Sequence, residues 1–251
     1  MSNKNKNGPL KGLIVIDLTR VLAGPYASMI LSDLGARIIK VEPPLGDDSR
    51  EFSPFINKQS AYFASLNREK ESIKLDLKST KDQLIFDGLI KNADILLENY
   101  KPGTMEKLGY GYKSLTKKYP NLIYASCSGF GQTGPWASKP AYDMIVQGMG
   151  GLMSVTGHEG QEPVRVGTSI GDITAGLFTT IGILASLIDK NKHGNGQAVD
   201  VSMLDCQIAI LENAIARYYA TGESPPPGGS RHPAIAPFEC YRCRDGYIVM
   251  A

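Results

Sequence analysis

Residues 13–42 read LIVIDLTRVLAGPYASMILSDLGARIIKVE, and this run sets the fold class. Residues 13–18 are almost unbroken apolar, as a strand buried on both faces would be. Residues 25–36 have helical spacing and close on Gly35-Ala36. Residues 37–42 form a second strand, so the stretch is one β-α-β unit. The alternation continues with strands over 72–76, 93–98, 122–127 and 198–203. Between them, 79–91 is amphipathic and helical, with Leu84, Ile85, Leu89 and Ile90 on one side. Asp172 opens a very apolar helix, and 204–220 reads as a further one. Repeated β-α-β order predicts an α/β fold: a Rossmann-like, open, mostly parallel sheet with helices on both faces. In such sheets ligands sit beyond the carboxyl ends of the strands. That directs attention to loops 19–25, 43–50, 77–80, 99–104 and 128–143.

Residues 221–237 change character. They hold Pro225, Pro226, Pro227, Gly228, Gly229, Pro233 and Pro237, a loop or linker composition. Residues 238–250 read as a hairpin around Arg244-Asp245-Gly246. The expected organisation is a large α/β domain over 1–220, then a Gly/Pro-rich linker and the start of a smaller domain over 221–251. The chain stops inside an apolar run, YIVMA, which reads as a truncated C-terminus.

Bulk composition narrows the function classes. Of 251 residues, 42% are hydrophobic and 21% charged, which fits a soluble globular protein and argues against disorder. With 27 Lys plus Arg against 25 Asp plus Glu, charge gives no basis for nucleic-acid or anionic-membrane partners. The polar, basic start over 1–12 is not a signal peptide. The longest apolar stretch, 173–188, is interrupted by Thr174, Thr179, Thr180 and Ser186. It is short for a membrane span and reads as a buried helix. A soluble cytoplasmic protein is expected. Cys127, Cys206, Cys240 and Cys243 are too few and scattered for a disulfide framework. Cys240 and Cys243 form a lone C-x-x-C with only His232 nearby, so a reduced pair and no metal are expected.

Two motifs invite chemistry. Gly129-Phe-Gly131-Gln-Thr-Gly134 matches G-x-G-x-x-G after a strand. A dinucleotide site would need a helix to start there, with an acid about 20 residues on. Pro135 and Pro140 follow instead, and 150–155 (GGLMSV) has no acid. A glycine-rich ligand loop remains open. His158, His193 and His232 lie in polar or Gly-rich loops and read as surface residues. Asp172 stands in Gly167-Thr-Ser-Ile-Gly171-Asp172-Ile-Thr-Ala-Gly176. One reading makes it an N-cap that accepts backbone N–H bonds. The other makes it a nucleophile: the positive helix end keeps the carboxylate ionised, and flanking glycines admit a bulky ligand. The residues alone leave both open.

These motifs bring in a resemblance. GLIVIDLTRVLAGPYASMILSDLGARIIKVEPPLGDDSR, LNREKESIKLDLKS, ADILLENYKPGTMEKLG, SGFGQTGPW, YDMIVQGMGGLMSVTG, GDITAG and HGNGQAVDVSMLD resemble the family III (CaiB/BaiF-type, formyl-CoA transferase-like) CoA-transferases. They follow the family order over nearly the whole chain. The resemblance implies that Asp172 is the catalytic aspartate, passing through an acyl-aspartyl anhydride and an aspartyl-CoA thioester. It implies CoA contacts at Val21, Ala23, Leu75, Lys78, Asn99, Tyr100, Lys101 and Lys107, with Lys78, Lys101 and Lys107 meeting the phosphates. It places Tyr62, Tyr142 and Asp143 near the reacting acyl group. Gly228-Gly229 is similar to the family's glycine-rich active-site loop. CoA enters as a substrate, and no tightly bound cofactor is implied. Some members carry an Arg after the second strand; here Pro43 follows Glu42, so that contact is lost or supplied elsewhere.

The resemblance implies partners too: an acyl-CoA, a small carboxylic acid and a second copy interlocked with the first. A racemase branch of the superfamily is the rival. It pairs the aspartate with a histidine to move a proton α to the thioester. That histidine's position is occupied here by Tyr142, whose unperturbed pKa is too high for an easy base. The third reading is an inactive fragment.

Overall fold

The computed structural model describes residues 7–251; the first six residues of the polar N-terminal stretch lie outside them. The main sheet is built from β1 (Ile14–Asp17), β2 (Arg37–Glu42), β5 (Glu71–Lys74), β6 (Ile95–Glu98), β7 (Ile123–Ser128) and β8 (Ala198–Ser202). Two small antiparallel hairpins add β3 (Phe55–Ile56) with β4 (Gln59–Ser60), and β9 (Glu239–Arg242) with β10 (Tyr247–Met250). The helices are α1 (Ala23–Asp33), α2 (Ala61–Asn67), α3 (Thr80–Ile90), α4 (Thr104–Lys107) and α5 (Tyr112–Lys118). After β7 come α6 (Asp143–Met149), α7 (Leu152–Val155) and α8 (Ile170–His193), and after β8 come α9 (Met203–Ala209) and α10 (Glu212–Thr221).

The sheet order is β5-β2-β1-β6-β7-β8, and every neighbouring pair is parallel. The apolar run at 13–18 has a direct cause. Val15 pairs with Ile38 and Ile95, and these three pack against Ala27 and Leu31 of α1 and Ile183 of α8. Ile16 and Leu96 point the other way, onto Phe86 and Ile90 of α3 and Leu115 of α5. Both faces are buried, so both alternating sets are apolar up to Asp17 at the strand's end. The chain builds outward from β1 through β2 to β5, then returns to β6 and builds outward the other way. A crevice opens where the order reverses, beyond the carboxyl ends of β1 and β6.

The helix expected from the apolar stretch is longer than the stretch itself. α8 has 24 residues and is long and apolar enough to cross a membrane by length and composition. Here it is the crossover between β7 and β8 and packs against α1, α6 and α9. It stops at Gly194, whose φ of 86° lets its N–H reach Lys190 O. The single helix expected over 204–220 is two helices. α9 is anchored on α8 by the fully buried Gln207, whose Nε2 donates to Thr174 Oγ1 at 2.9 Å. The chain turns at Ile210-Leu211 before α10. The expected hairpin over 238–250 is present, with Cys243 N donating to Gly246 O across its turn at 2.8 Å.

Candidate active site

The loop after β1 is pinned from several sides. Asp17, wholly buried at the end of β1, accepts from the Thr19 N–H and hydroxyl. Lys40 Nζ donates to Thr19 O at 2.6 Å. Asn99, just past β6, accepts from Arg20 N and donates to Arg20 O, both at 2.9 Å. Asp47 Oδ1 accepts from Val21 N at 3.2 Å. Lys40 and Asp47 pair at 2.8 Å with both side chains 1% exposed. These bonds hold Val21 at φ 66°, a left-handed conformation that costs a β-branched residue about 1–3 kcal/mol. The strain sits on the wall of the crevice.

Asp172 faces that wall. It is the third residue of α8 and not its N-cap; Ser169 holds that position without a side-chain bond. The capping reading is therefore replaced. The Asp172 carboxylate accepts from the Ala23 backbone N–H at the start of α1. Two glycines allow this crossing. A Cβ on Gly176 would stand 2.8 Å from Ala23 O, and one on Gly171 would stand 2.9 Å from Asp143 Oδ1. These glycines serve helix contact, not the ligand approach expected from the sequence.

The carboxylate's charge state also differs from expectation. Burial pushes the Asp172 pKa up to about 7, and the neighbouring Asp143 carboxylate adds to the rise. The Ala23 N–H pulls the other way and loses. The helix end does not keep Asp172 fully ionised at neutral pH. Asp143 itself is bound on both oxygens: Oδ1 accepts from Gly171 N at 2.7 Å and Oδ2 from Gln147 Nε2 at 2.8 Å. Burial and the nearby Asp172 charge push the Tyr62 hydroxyl up to about 12. Burial likewise pushes the Cys127 thiol up to about 12, so it is no rival nucleophile at neutral pH.

A cleft of about 170 Å³ brings together Val21, Ala23, Asn99, Tyr100, Lys101 and Asp172, with Tyr142 on its rim, 72% exposed. Asp143 lies behind Asp172 on α6, and the Tyr62 ring on α2 is close enough to feel the Asp172 charge. The other expected positions stand apart. The Leu75 side chain is buried in the core beneath α3. Lys78 and Lys107 are exposed, before α3 and at the end of α4, and neither lines the cleft. Gly228 and Gly229 line a separate depression with His158, Arg217 and His232. His158 and His193 are exposed as expected, whereas His232 is half-buried on the Phe238 ring.

Sequence reasoning missed Arg20 and Lys139, which line the cleft with Lys101. Arg20 is paired with Asp48 at 3.1 Å, and Lys139 lies over the Trp136 ring. The signal for Arg20 was its place one step past Thr19 in a post-strand loop. No helix follows the G-x-G-x-x-G segment until α6. Among the described residues, no group of three or more His, Cys, Asp or Glu is placed to hold a metal ion, and the four thiols are free.

Comparison with known proteins gives the family and fold. The model of CoA-transferase family III matches residues 10–251. An acetyl-CoA:oxalate CoA-transferase of Acetobacter aceti is 50% identical over 245 residues, covering 97% of this chain and 63% of that protein. The human succinyl-CoA:glutarate CoA-transferase is 41% identical over 251 residues, covering 99% of this chain and 57% of that one. A crystal structure of a CAIB/BAIF family protein from Brucella suis superimposes with a TM-score of 0.92 at 42% identity, covering 98% of this chain and 66% of that one. The chain thus spans less than two thirds of the length of these relatives.

Proposed function

Because the chain belongs to CoA-transferase family III, we propose that it supplies the CoA-binding and nucleophile-bearing part of an acyl-CoA:carboxylate CoA-transferase. The observation that carries this reading is Asp172. It is a part-buried carboxylate at the head of α8, opening on a cleft at the sheet's switch point beside Arg20, Lys101 and Lys139. Three cations suit a ligand as anionic as CoA. Arg20 and Lys139 can supply the cation missing where Pro43 follows β2.

The steps balance as follows. The Asp172 carboxylate attacks the donor thioester carbonyl and expels CoA thiolate, leaving an acyl-aspartyl anhydride. The thiolate attacks the aspartyl carbonyl and expels the donor acid, leaving an aspartyl-CoA thioester. The acceptor carboxylate attacks that thioester and expels thiolate again. The thiolate then takes the acceptor acyl group and returns Asp172 as a carboxylate. Only the ionised form of Asp172 begins the sequence, and burial makes that form more nucleophilic once formed.

The racemase alternative needs a base opposite Asp172. By resemblance Tyr142 takes that histidine's place, and none of the three histidines lines the cleft. The named relatives use oxalate and glutarate, so a small dicarboxylate is the acceptor class proposed here. A second copy of the chain is proposed as the macromolecular partner. The test is a donor–acceptor screen with acetyl-CoA and succinyl-CoA against oxalate, glutarate and mesaconate. New acyl-CoA products are expected. Deuterium exchange α to the thioester of a 2-methylacyl-CoA, with no CoA transfer, would favour the racemase instead.

A further inference from the structure

Gln147 is fully buried in α6, one turn beyond Asp143. Both ends of its amide are used. Nε2 donates to Asp143 Oδ2 at 2.8 Å, and Oε1 accepts from Val166 N at 2.9 Å. Asp143 Oδ1 in turn accepts from Gly171 N at 2.7 Å, one residue before Asp172. A single amide therefore ties α6, the loop entering α8 and the residue preceding the nucleophile into one chain of bonds.

We propose that Gln147 is a positioning residue for Asp172: it fixes the Asp143 carboxylate against the first turn of α8 and so sets the direction and charge environment of the nucleophile. This rests on the transferase reading for its kinetic consequences but not for its structural one. The groups facing Asp172 are Tyr62 from α2, Cys127 from β7 and Asp143 from α6. Arg20, Lys101 and Lys139 stand on the other walls of the cleft. Of these, Asp143 is the carboxylate that opposes ionisation of Asp172, and Gln147 is its side-chain donor. Without that donor Asp143 is held only through Oδ1 by Gly171 N; its Oδ2 can turn toward water, and its field at Asp172 weakens.

The test is a ¹³C-carboxyl NMR titration of Asp172, assigned with Asp172→Asn, in the wild type and in Gln147→Met, Gln147→Glu and Asp143→Asn. Gln147→Met should lower the Asp172 midpoint by about 1 unit, in the direction of Asp143→Asn. In turnover it should lower kcat about 10-fold and leave KM for the acyl-CoA within about 2-fold. Gln147→Glu can donate to Asp143 only while its new carboxyl is protonated. Its activity relative to wild type should therefore be highest at low pH and fall as pH rises. An unchanged Asp172 midpoint in both Gln147 variants, with unchanged thermal unfolding, overturns the proposal. If Gln147→Met does not fold, the pH trend of Gln147→Glu decides alone, and a flat ratio to wild type overturns it. A wild type that transfers no CoA, with the Asp172 midpoint still shifted in Gln147→Met, would sink the transferase reading and leave the positioning role standing.

Discussion

Gly176→Ala tests the crossing of α1 and α8 that sets Asp172 in place. The new Cβ would lie 2.8 Å from Ala23 O, 3.0 Å from Tyr26 Cδ1 and 3.2 Å from Tyr26 Cβ. Ordinary carbon contacts are about 3.5–4.0 Å. The nearest atom is a backbone carbonyl in α1, which cannot swing aside as a side chain would. The helices must part by more than half an ångström, and overpacking of that kind costs about 1–3 kcal/mol. Replacing a helical glycine returns about 0.5–1 kcal/mol. The net expectation is a loss of about 0–2.5 kcal/mol, read as a lower urea midpoint at unchanged slope. Gly88→Ala in α3 is the control, since its Cβ would meet nothing within 4 Å. It should gain the 0.5–1 kcal/mol alone. The parted helices should also draw the Ala23 N–H from Asp172 and move its titration upward. A Gly176→Ala protein as stable as Gly88→Ala would refute the claim that this contact is tight.

Other expectations follow from the buried charges. Burial raises the Asp172 pKa to about 7, and the proposed mechanism begins only from its ionised form, so kcat should rise with pH through about 7 and level off above it; a flat profile from pH 5 to 8 would count against the proposed carboxylate nucleophile. Glu98 is 3% exposed, and burial raises its pKa from 4.5 to about 7. The folded state thus favours its protonated form, so the penalty is absent below about pH 4.5 and complete above about 7. Its ceiling is about 3 kcal/mol. Glu98→Gln should raise the unfolding temperature at pH 8 and leave it unchanged at pH 4. Lys40→Met strands the Asp47 carboxylate and frees Thr19 O, and should cost about 3–5 kcal/mol by urea unfolding. A neutral result would mean that the pair does not hold the loop after β1.

Much of the fold was legible because its signal is local. A strand buried on both faces is apolar along most of its length, so residues 13–18 and 93–98 declared themselves despite the buried Asp17 and Glu98 at their ends, and a parallel sheet followed from the helices between strands. The cleft followed from the same order, since the switch point lies beyond the carboxyl ends of the neighbouring β1 and β6, where the direction of strand addition reverses. What depended on contacts between distant segments was not legible. The start of α8 lies two residues before Asp172, and only the packing of Gly171 on Asp143 shows why. The raised pKa of Asp172 comes from burial and from a carboxylate on another helix, neither of which a helix-end argument contains. The break at Ile210-Leu211 divides a segment whose first half is tied to α8 through Gln207, a long-range contact that no periodicity records. Leu75 shows the opposite limit: a motif position can stand apart from the cleft with its side chain filling the core.

The most direct test is whether Asp172 carries the group. The protein would be incubated with succinyl-CoA or acetyl-CoA, quenched with hydroxylamine or borohydride, digested, and the peptide containing Asp172 weighed. A hydroxamate or a reduced aspartyl residue at Asp172, formed only with donor present and missing from Asp172→Asn, is expected. CoA transfer that proceeds with Asp172 unmodified and survives Asp172→Asn would contradict it.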